Sequence, residues 1–281
     1  MSKATKIWLT VAASLVLLGI IIFTAIMTVN HWDFIKLSTE EFETRTYEFN
    51  EDFNSILIST DTAEIVFLPS ENDKCRVVCY EPDSGFHDVA VKDGKLSITW
   101  MVRKKWYEHI GITVGSPKIT VYLPHNEYVS LSIKESTGDV SILNNFKFDS
   151  IDIAVSTGDI NIENLTAGSI GIKVSTGDTF LTNVTCESLA STGSTGDITM
   201  SGVIASGKFS IERSTGDVKF DKCDASEIFV LTDTGDVTGT LLSEKIFFPD
   251  SDTGKIDVPK TTSGGKCEIT TDTGDIKIRI N

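Results

Sequence analysis

The 281-residue sequence predicts an all-β, right-handed parallel β-helix behind one N-terminal transmembrane helix. Three observations carry that expectation. A turn tetrapeptide recurs at a fixed period, apolar residues alternate on both sides of each turn, and one long run near the N-terminus is free of charge. Self-similarity near 20 residues marks a solenoid, in which each coil contacts only its neighbours.

The tetrapeptide first reads Ser136-Thr137-Gly138-Asp139. Its glycine returns as Gly158, Gly177, Gly196, Gly216, Gly235, Gly254 and Gly274, at spacings of 20, 19, 19, 20, 19, 19 and 20 residues. Seven residues before the glycine stand Leu131, Ile151, Ile170, Leu189, Phe209, Ile228, Phe247 and Cys267. Five before it the column is Ile133, Ile153, Ile172, Ser191, Ile211, Val230, Pro249 and Ile269. Two after it come Val140, Ile160, Thr179, Ile198, Val218, Val237, Ile256 and Ile276, and the next position is polar in all coils but that of Phe180. Alternation of this kind means strand, tight turn, strand. A single coil cannot bury its apolar face, whereas stacked coils pair like with like about 4.8 Å apart. Parallel crossovers are right-handed in nearly all proteins, hence the expected hand.

The glycines are expected as structural turn residues, because a sharp bend between strands favours φ > 0. The adjoining Ser, Thr and Asp are suited to hydrogen-bonding the turn backbone. Three turns read Asp-Thr-Gly, beginning at Asp233, Asp252 and Asp272. That triplet marks aspartic proteases, but here it falls in register with five Ser-Thr-Gly turns, and a protease dyad needs two facing loops. The acids Asp139, Asp159, Asp178, Asp197, Asp217, Asp236 and Asp275 raise a calcium reading. Calcium-binding rolls use a Gly-rich nonapeptide that is absent here, and Lys255 stands at the acid's place in the seventh repeat. No catalytic residue, metal ligand or cofactor is therefore expected.

At the N-terminus, residues 1–6 carry Lys3 and Lys6 and form a short cytoplasmic tail; residues 7–29 are uncharged. That run is long enough for a bilayer core of about 30 Å and too long for a cleaved signal's apolar core of about 7–15 residues. The expectation is an uncleaved signal-anchor in the cell membrane. Lysines before the span and acids after it place the body outside the cytoplasm. Residues 30–43 read as a stalk, residues 44–130 as irregular β coils or an N-terminal cap, and residues 131–281 as the regular repeats. Lys277 and Arg279 on the last strand look like guards of an exposed edge.

With 25 Lys and Arg against 40 Asp and Glu, the net charge is −15, which argues against nucleic acid as a partner. Five cysteines are too few for a disulfide scaffold and lack paired metal-ligand spacing. Within 44–130, strands are expected at 45–49, 55–59, 63–68, 74–80, 95–100, 110–114 and 118–123. Asp61-Thr62-Ala63-Glu64-Ile65 reads as a worn copy of the turn. One stretch departs from the acidic background: Arg103, Lys104, Lys105, Trp106 and Tyr107. Cations beside aromatics suit sugars and anionic polymers, so these five are the candidate ligand-binding residues, against the plainer reading of a hairpin loop folded over the cap.

The repeated [Ser/Asp]-Thr-Gly-Asp-[Val/Ile] turns, following a β segment that ends Ile119-Thr120-Val121-Tyr122-Leu123-Pro124, resemble the bacterial putative-adhesin β-helix family, which includes LiaG-like envelope proteins. The resemblance covers about residues 44–281 and implies a β-helix at the cell surface with no established catalytic residues. Three functions follow as expectations. The first is a non-enzymatic surface module, an adhesin or envelope-stress-related binder of an envelope polymer or protein. The second is a polysaccharide lyase or hydrolase, by analogy of fold alone. The third is a structural spacer or protein-interaction scaffold.

Overall fold

The first long element is helical because residues 3–29 lack Pro and carry apolar side chains on every face. A computed structural model describes residues 2–33, 40–72, 74–103 and 115–281. Helix α1 spans Lys3–Val29, with the Ser2 side chain accepting from the Thr5 backbone N–H at 3.1 Å as an N-cap. Its mean hydropathy of 2.6 makes it long and apolar enough to cross a membrane.

Ahead of the regular repeats lie β1 (Phe42–Phe49), β2 (Ser55–Ser59), β3 (Glu64–Pro69), β4 (Cys75–Pro82), β5 (Gly85–Lys92), β6 (Lys95–Val102) and β7 (Lys118–Leu123). The repeats comprise β8 (Glu127–Thr137), β9 (Val140–Leu143), β10 (Lys147–Thr157), β11 (Ile160–Thr176), β12 (Thr179–Thr195), β13 (Ile198–Ser201), β14 (Ile204–Thr215), β15 (Val218–Thr234) and β16 (Val237–Leu241). The last stretch holds β17 (Lys245–Thr253), β18 (Ile256–Asp257), β19 (Gly265–Thr273) and β20 (Ile276–Ile280).

These strands build a parallel β-solenoid. The columns pair in register: Leu131 with Ile151, Ile151 with Ile170, Ile170 with Leu189, and Leu189 with Phe209. Their side chains are buried in one continuous core. Where a coil holds 20 residues between Gly196 and Gly216, the register slips between Ala205 and Lys208, so a bulge absorbs the extra residue.

The stacking does not follow chain order at either end. β2 lies between β6 and β8, and β3 between β7 and β9. β19 lies between β15 and β17, and β20 between β16 and β18. At the C-terminal end the chain lays down the outer coil first and then threads the next one beneath it; at the other end β2 and β3 come first and β6 and β7 then cover them. This corrects the reading of Lys277 and Arg279 as guards of the terminal edge: β20 is covered over Ile276 and Lys277, and the outermost coil belongs to β17 and β18. That outer strand carries Pro249, a residue that sheets admit at edges because it lacks an N–H.

At the other end the pairing turns antiparallel. β4 pairs with β7, β1 with β4, and β5 with β6. β5 was not expected from the sequence. Its signal is Asp93-Gly94, at φ 51° and 73°, a two-residue hairpin turn. The expected strand at 110–114 lies outside the described residues. The worn turn copy takes its place in register, with Thr62 bridging Thr137 and Ile65 paired with Val140.

Two corners shape each regular coil. At the first, seven of the eight turn glycines hold φ between 127° and 157°; Gly254, in the outermost coil, does not. Crowding reinforces the preference. A Cβ on Gly177 would lie 2.0 Å from the Gly158 carbonyl oxygen in the coil beneath. The second corner, six residues after the glycine, holds Asn144, Asn164, Asn183, Gly202 and Lys222 at positive φ. Asn183 donates from Nδ2 to Asn164 Oδ1 at 3.1 Å. The recurrence of Asn at one repeat position is the sequence signal for this corner, since Asn tolerates the left-handed region.

Candidate functional site

The turn acids form a ladder with an internal task. The Asp159 N–H donates to Asp139 Oδ1 at 2.8 Å, Asp178 to Asp159 at 2.7 Å, Asp197 to Asp178 at 2.8 Å and Asp217 to Asp197 at 2.8 Å. Asp236 donates to Asp217 at 3.0 Å and Asp275 to Asp236 at 2.7 Å. Each carboxylate thus satisfies a backbone donor that the bend removes from the strand ladder. Lys219 Nζ adds ion pairs to Asp197 at 3.0 Å and to Asp217 at 3.1 Å. The acids are spread along the stack and engaged, which is not how a catalytic pair is held.

Of the candidate binding residues, Arg103 lies within the described structure; Lys104, Lys105, Trp106 and Tyr107 lie outside it. Arg103 follows β6 directly. Its N–H donates to the Ser84 carbonyl at 2.9 Å, and its guanidinium lies 4.5 Å from the centre of the Phe86 ring. That geometry is a cation–π contact, so Phe86 on β5 steers the start of this stretch.

Inside the solenoid, the polar exceptions to the apolar columns meet at one side chain. Thr179, Ser191 and Arg213 are buried. Arg213 Nη2 donates to Ser191 Oγ at 3.0 Å and approaches Thr179 Oγ1 at 3.5 Å, while Nη1 donates to the Glu212 carbonyl at 2.9 Å. Gly193, paired with Arg213 in the neighbouring coil, makes the room: a Cβ there would meet the guanidinium at 3.0 Å. Burial lowers the Arg213 pKa to about 10, against the nearby Asp178 and Asp197, which raise it. Four coils further toward the cap end, in the same repeat column as Arg213, Glu135 is buried under the worn turn. Its Oε1 accepts from the Ala63 N–H at 2.8 Å, and its Oε2 has no donor. Burial pushes this carboxyl up to about 8, opposed by the Ala63 hydrogen bond and helped by Asp61.

A third polar group sits in the antiparallel end. Glu81 Oε2 accepts from the His87 N–H at 2.7 Å and lies 2.9 Å from His87 Nδ1. His87 Nε2 lies 2.9 Å from Thr60 Oγ1. Arg45 Nη1 is 3.1 Å from Glu81 Oε1. Cys79, two residues before Glu81 on β4, joins the cluster, and all of Cys79, Glu81 and His87 are buried. Sequence reasoning missed this group because its members come from four separated stretches. All five cysteines are free and buried, and burial pushes the Cys79 thiol up to about 12, so none is a ready nucleophile at neutral pH.

Together these features define a class: a parallel β-solenoid with an apolar N-terminal helix, held at its corners by glycine, asparagine and aspartate ladders. The family model for Toastrack DUF4097 matches residues 53–281, and the chain belongs to that family. Among solved structures, a putative adhesin from Bacteroides fragilis is similar at 22% identity and a TM-score of 0.57, over 85% of this chain and 97% of that one. A putative adhesin from Parabacteroides merdae is similar at 12% identity and a TM-score of 0.48, over 86% and 98%. Another from Parabacteroides distasonis is similar at 11% identity and a TM-score of 0.47, over 85% and 98%. Among curated proteins none matches.

Proposed function

We propose that the chain is a non-enzymatic surface module, anchored in the cell membrane by α1 with its body outside the cytoplasm, which binds an envelope polymer or envelope protein. The observation that carries this reading is the use made of the turn acids. Their Oδ1 atoms hold backbone N–H groups coil after coil, and so do not converge as an acid–base pair. The naming of the Bacteroides fragilis structure as a putative adhesin supports the same direction, as do Lys3 and Lys6 ahead of the span. Binding is assigned to the stretch from Arg103 to Tyr107, where three cations interrupt an acidic body and are the local focus for an anionic partner.

Two measurements test this. Protease added to intact cells removes the body and leaves an N-terminal stub; a protected body defeats the topology, and a mature N-terminus near Asn30 shows a cleaved signal instead. Replacing Arg103, Lys104 and Lys105 with Ser weakens binding of the protein to envelope material, with a difference that shrinks as salt rises. Unchanged binding removes the loop from the interface, and turnover of a polysaccharide that is lost in Asp197→Ala would favour the enzyme reading.

A further inference from the structure

The turn that leads from β4 into β5 brings a thiol, a carboxylate and an imidazole to one buried point. Cys79 and Glu81 stand two apart on β4 and share a face, and His87 lies on the next strand. The Cys79 sulfur, one Glu81 oxygen and one His87 ring nitrogen all lie within 4.8 Å of one another. We propose that Cys79, Glu81 and His87 form a binding site for a divalent zinc ion inside the antiparallel end of the solenoid.

The donor set selects the ion class. Calcium and magnesium take oxygen ligands, whereas one sulfur, one nitrogen and one oxygen match zinc. Three protein donors is the number found at zinc sites that keep one coordination position open. Tetrahedral bonds of about 2.0–2.3 Å set donors about 3.3–3.7 Å apart, so the Glu81–His87 pair, 2.9 Å apart, opens slightly on binding, a movement within reach of side-chain rotation.

The surrounding contacts are those that orient metal ligands. Thr60 Oγ1 lies 2.9 Å from His87 Nε2, which leaves Nδ1 to face the cluster. Nδ1 and Glu81 Oε2 are 2.9 Å apart, and two lone pairs at that distance need a proton or a cation between them. Glu81 Oε1 is buried without an aligned donor, although Arg45 Nη1 is 3.1 Å away. Tyr47 donates its hydroxyl to the His87 carbonyl at 3.2 Å, and the Trp100 ring packs with its centre 5.0 Å from that of His87. Outer contacts of this kind fix ligand orientation at metal centres.

The proton balance is simple. On binding, Cys79 loses its thiol proton to solvent. His87 changes tautomer, its proton moving from Nδ1 to Nε2, where Thr60 accepts it. One proton is released per ion, so affinity rises with pH.

The test uses the full chain purified in detergent, stripped with a chelator and equilibrated with cobalt(II) as the optical probe. The expected result is a thiolate-to-cobalt charge-transfer band that saturates at one ion per chain and is erased by added zinc. Cys79→Ser removes the band. Cys75→Ser, which alters another buried thiol on the same strand, keeps it. His87→Gln keeps a weaker band with affinity lowered at least about tenfold. Should Cys79→Ser fail to fold, the wild-type band and its His87→Gln shift decide the matter. A wild-type protein without the band, or a band that survives in folded Cys79→Ser, overturns the site.

Discussion

The Lys255 backbone N–H donates to Asp275 Oδ1 at 2.8 Å, although Asp275 comes 20 residues later in the chain. The later coil lies beneath the earlier one. Lys255 therefore sits at the top of the acid ladder, where no further N–H awaits a carboxylate. The one turn lacking the acid in the sequence is the one turn in which the acid would have nothing to accept.

The ladder makes an asymmetric prediction. Asp159→Ala removes the acceptor of the Asp178 N–H and costs about 1 kcal/mol, the usual net worth of such a bond at an exposed site. Lys255→Ala leaves stability within about 0.5 kcal/mol of the parent. Denaturant unfolding of the two variants measures both, and equal losses would remove the ladder as the reason for the acids.

Gly177 holds φ 142°, and an added Cβ would meet the Gly158 carbonyl oxygen at 2.0 Å. Two penalties act together, backbone strain and a clash with a backbone atom that cannot move alone. Gly177→Ala is expected to cost about 3 kcal/mol, beyond the ~1 kcal/mol of an ordinary glycine change. A thermal melt indistinguishable from the parent would refute the close approach.

Arg213 and Ser191 should prove coupled. Arg213→Val supplies the residue seen at Val155 and Val174 but strands two buried hydroxyls, at Ser191 and Thr179. Ser191→Ile supplies the residue seen at Ile153 and Ile172 but takes the partner of a buried cation. Each single change costs roughly 2–4 kcal/mol. The double variant loses less than the sum by about 1 kcal/mol or more, the size of coupling found between contacting residues. Additive losses in the cycle would show that the two side chains do not share one interaction.

Glu135 makes stability depend on pH. Its folded-state pKa of about 8 lies above the ordinary 4.5 because the buried carboxyl resists ionisation. Below the unfolded value the carboxyl is neutral in both states and imposes no penalty. As pH rises from about 4.5 to 8 the unfolded chain loses this proton more readily than the folded one, so stability falls across that window and levels off above it. Each tenfold change in proton affinity is worth about 1.4 kcal/mol, which makes the total a few kcal/mol. Glu135→Gln is expected to flatten the fall in melting temperature between these limits, and an unchanged slope would locate the effect elsewhere.

Much of this fold is legible in the chain because the structure is a repeat. A ladder aligns each residue with its own copy one coil away, so Ile151 predicts its contact with Ile170 from spacing alone. The same logic exposes the glycine turns. It fails wherever a contact joins residues with no repeat between them. Arg213, Ser191 and Thr179 read as three isolated departures from their columns, and only their convergence shows that each explains the others. Cys79, Glu81, His87, Thr60 and Arg45 carry no common period, and the hairpin at Asp93-Gly94 with its antiparallel partners brings them together.

Stacking order was likewise beyond the sequence. Similar columns let most coils neighbour one another, so the pattern determined that coils stack, while Pro249 and Lys255 are departures whose meaning as marks of the outermost coil shows only in the structure. By itself the sequence determined a parallel β-solenoid, its corner glycines and an apolar helix able to cross a membrane, since each follows from local periodicity and from burial of apolar surface. The tertiary structure alone decided that β19 and β20 thread beneath β17 and β18. The physical reason lies where these coils depart from the pattern: Pro249 gives β17 no N–H to donate at that point, and Lys255 and Asp257 of the outer coil meet Asp275 and Arg279 of the coil beneath.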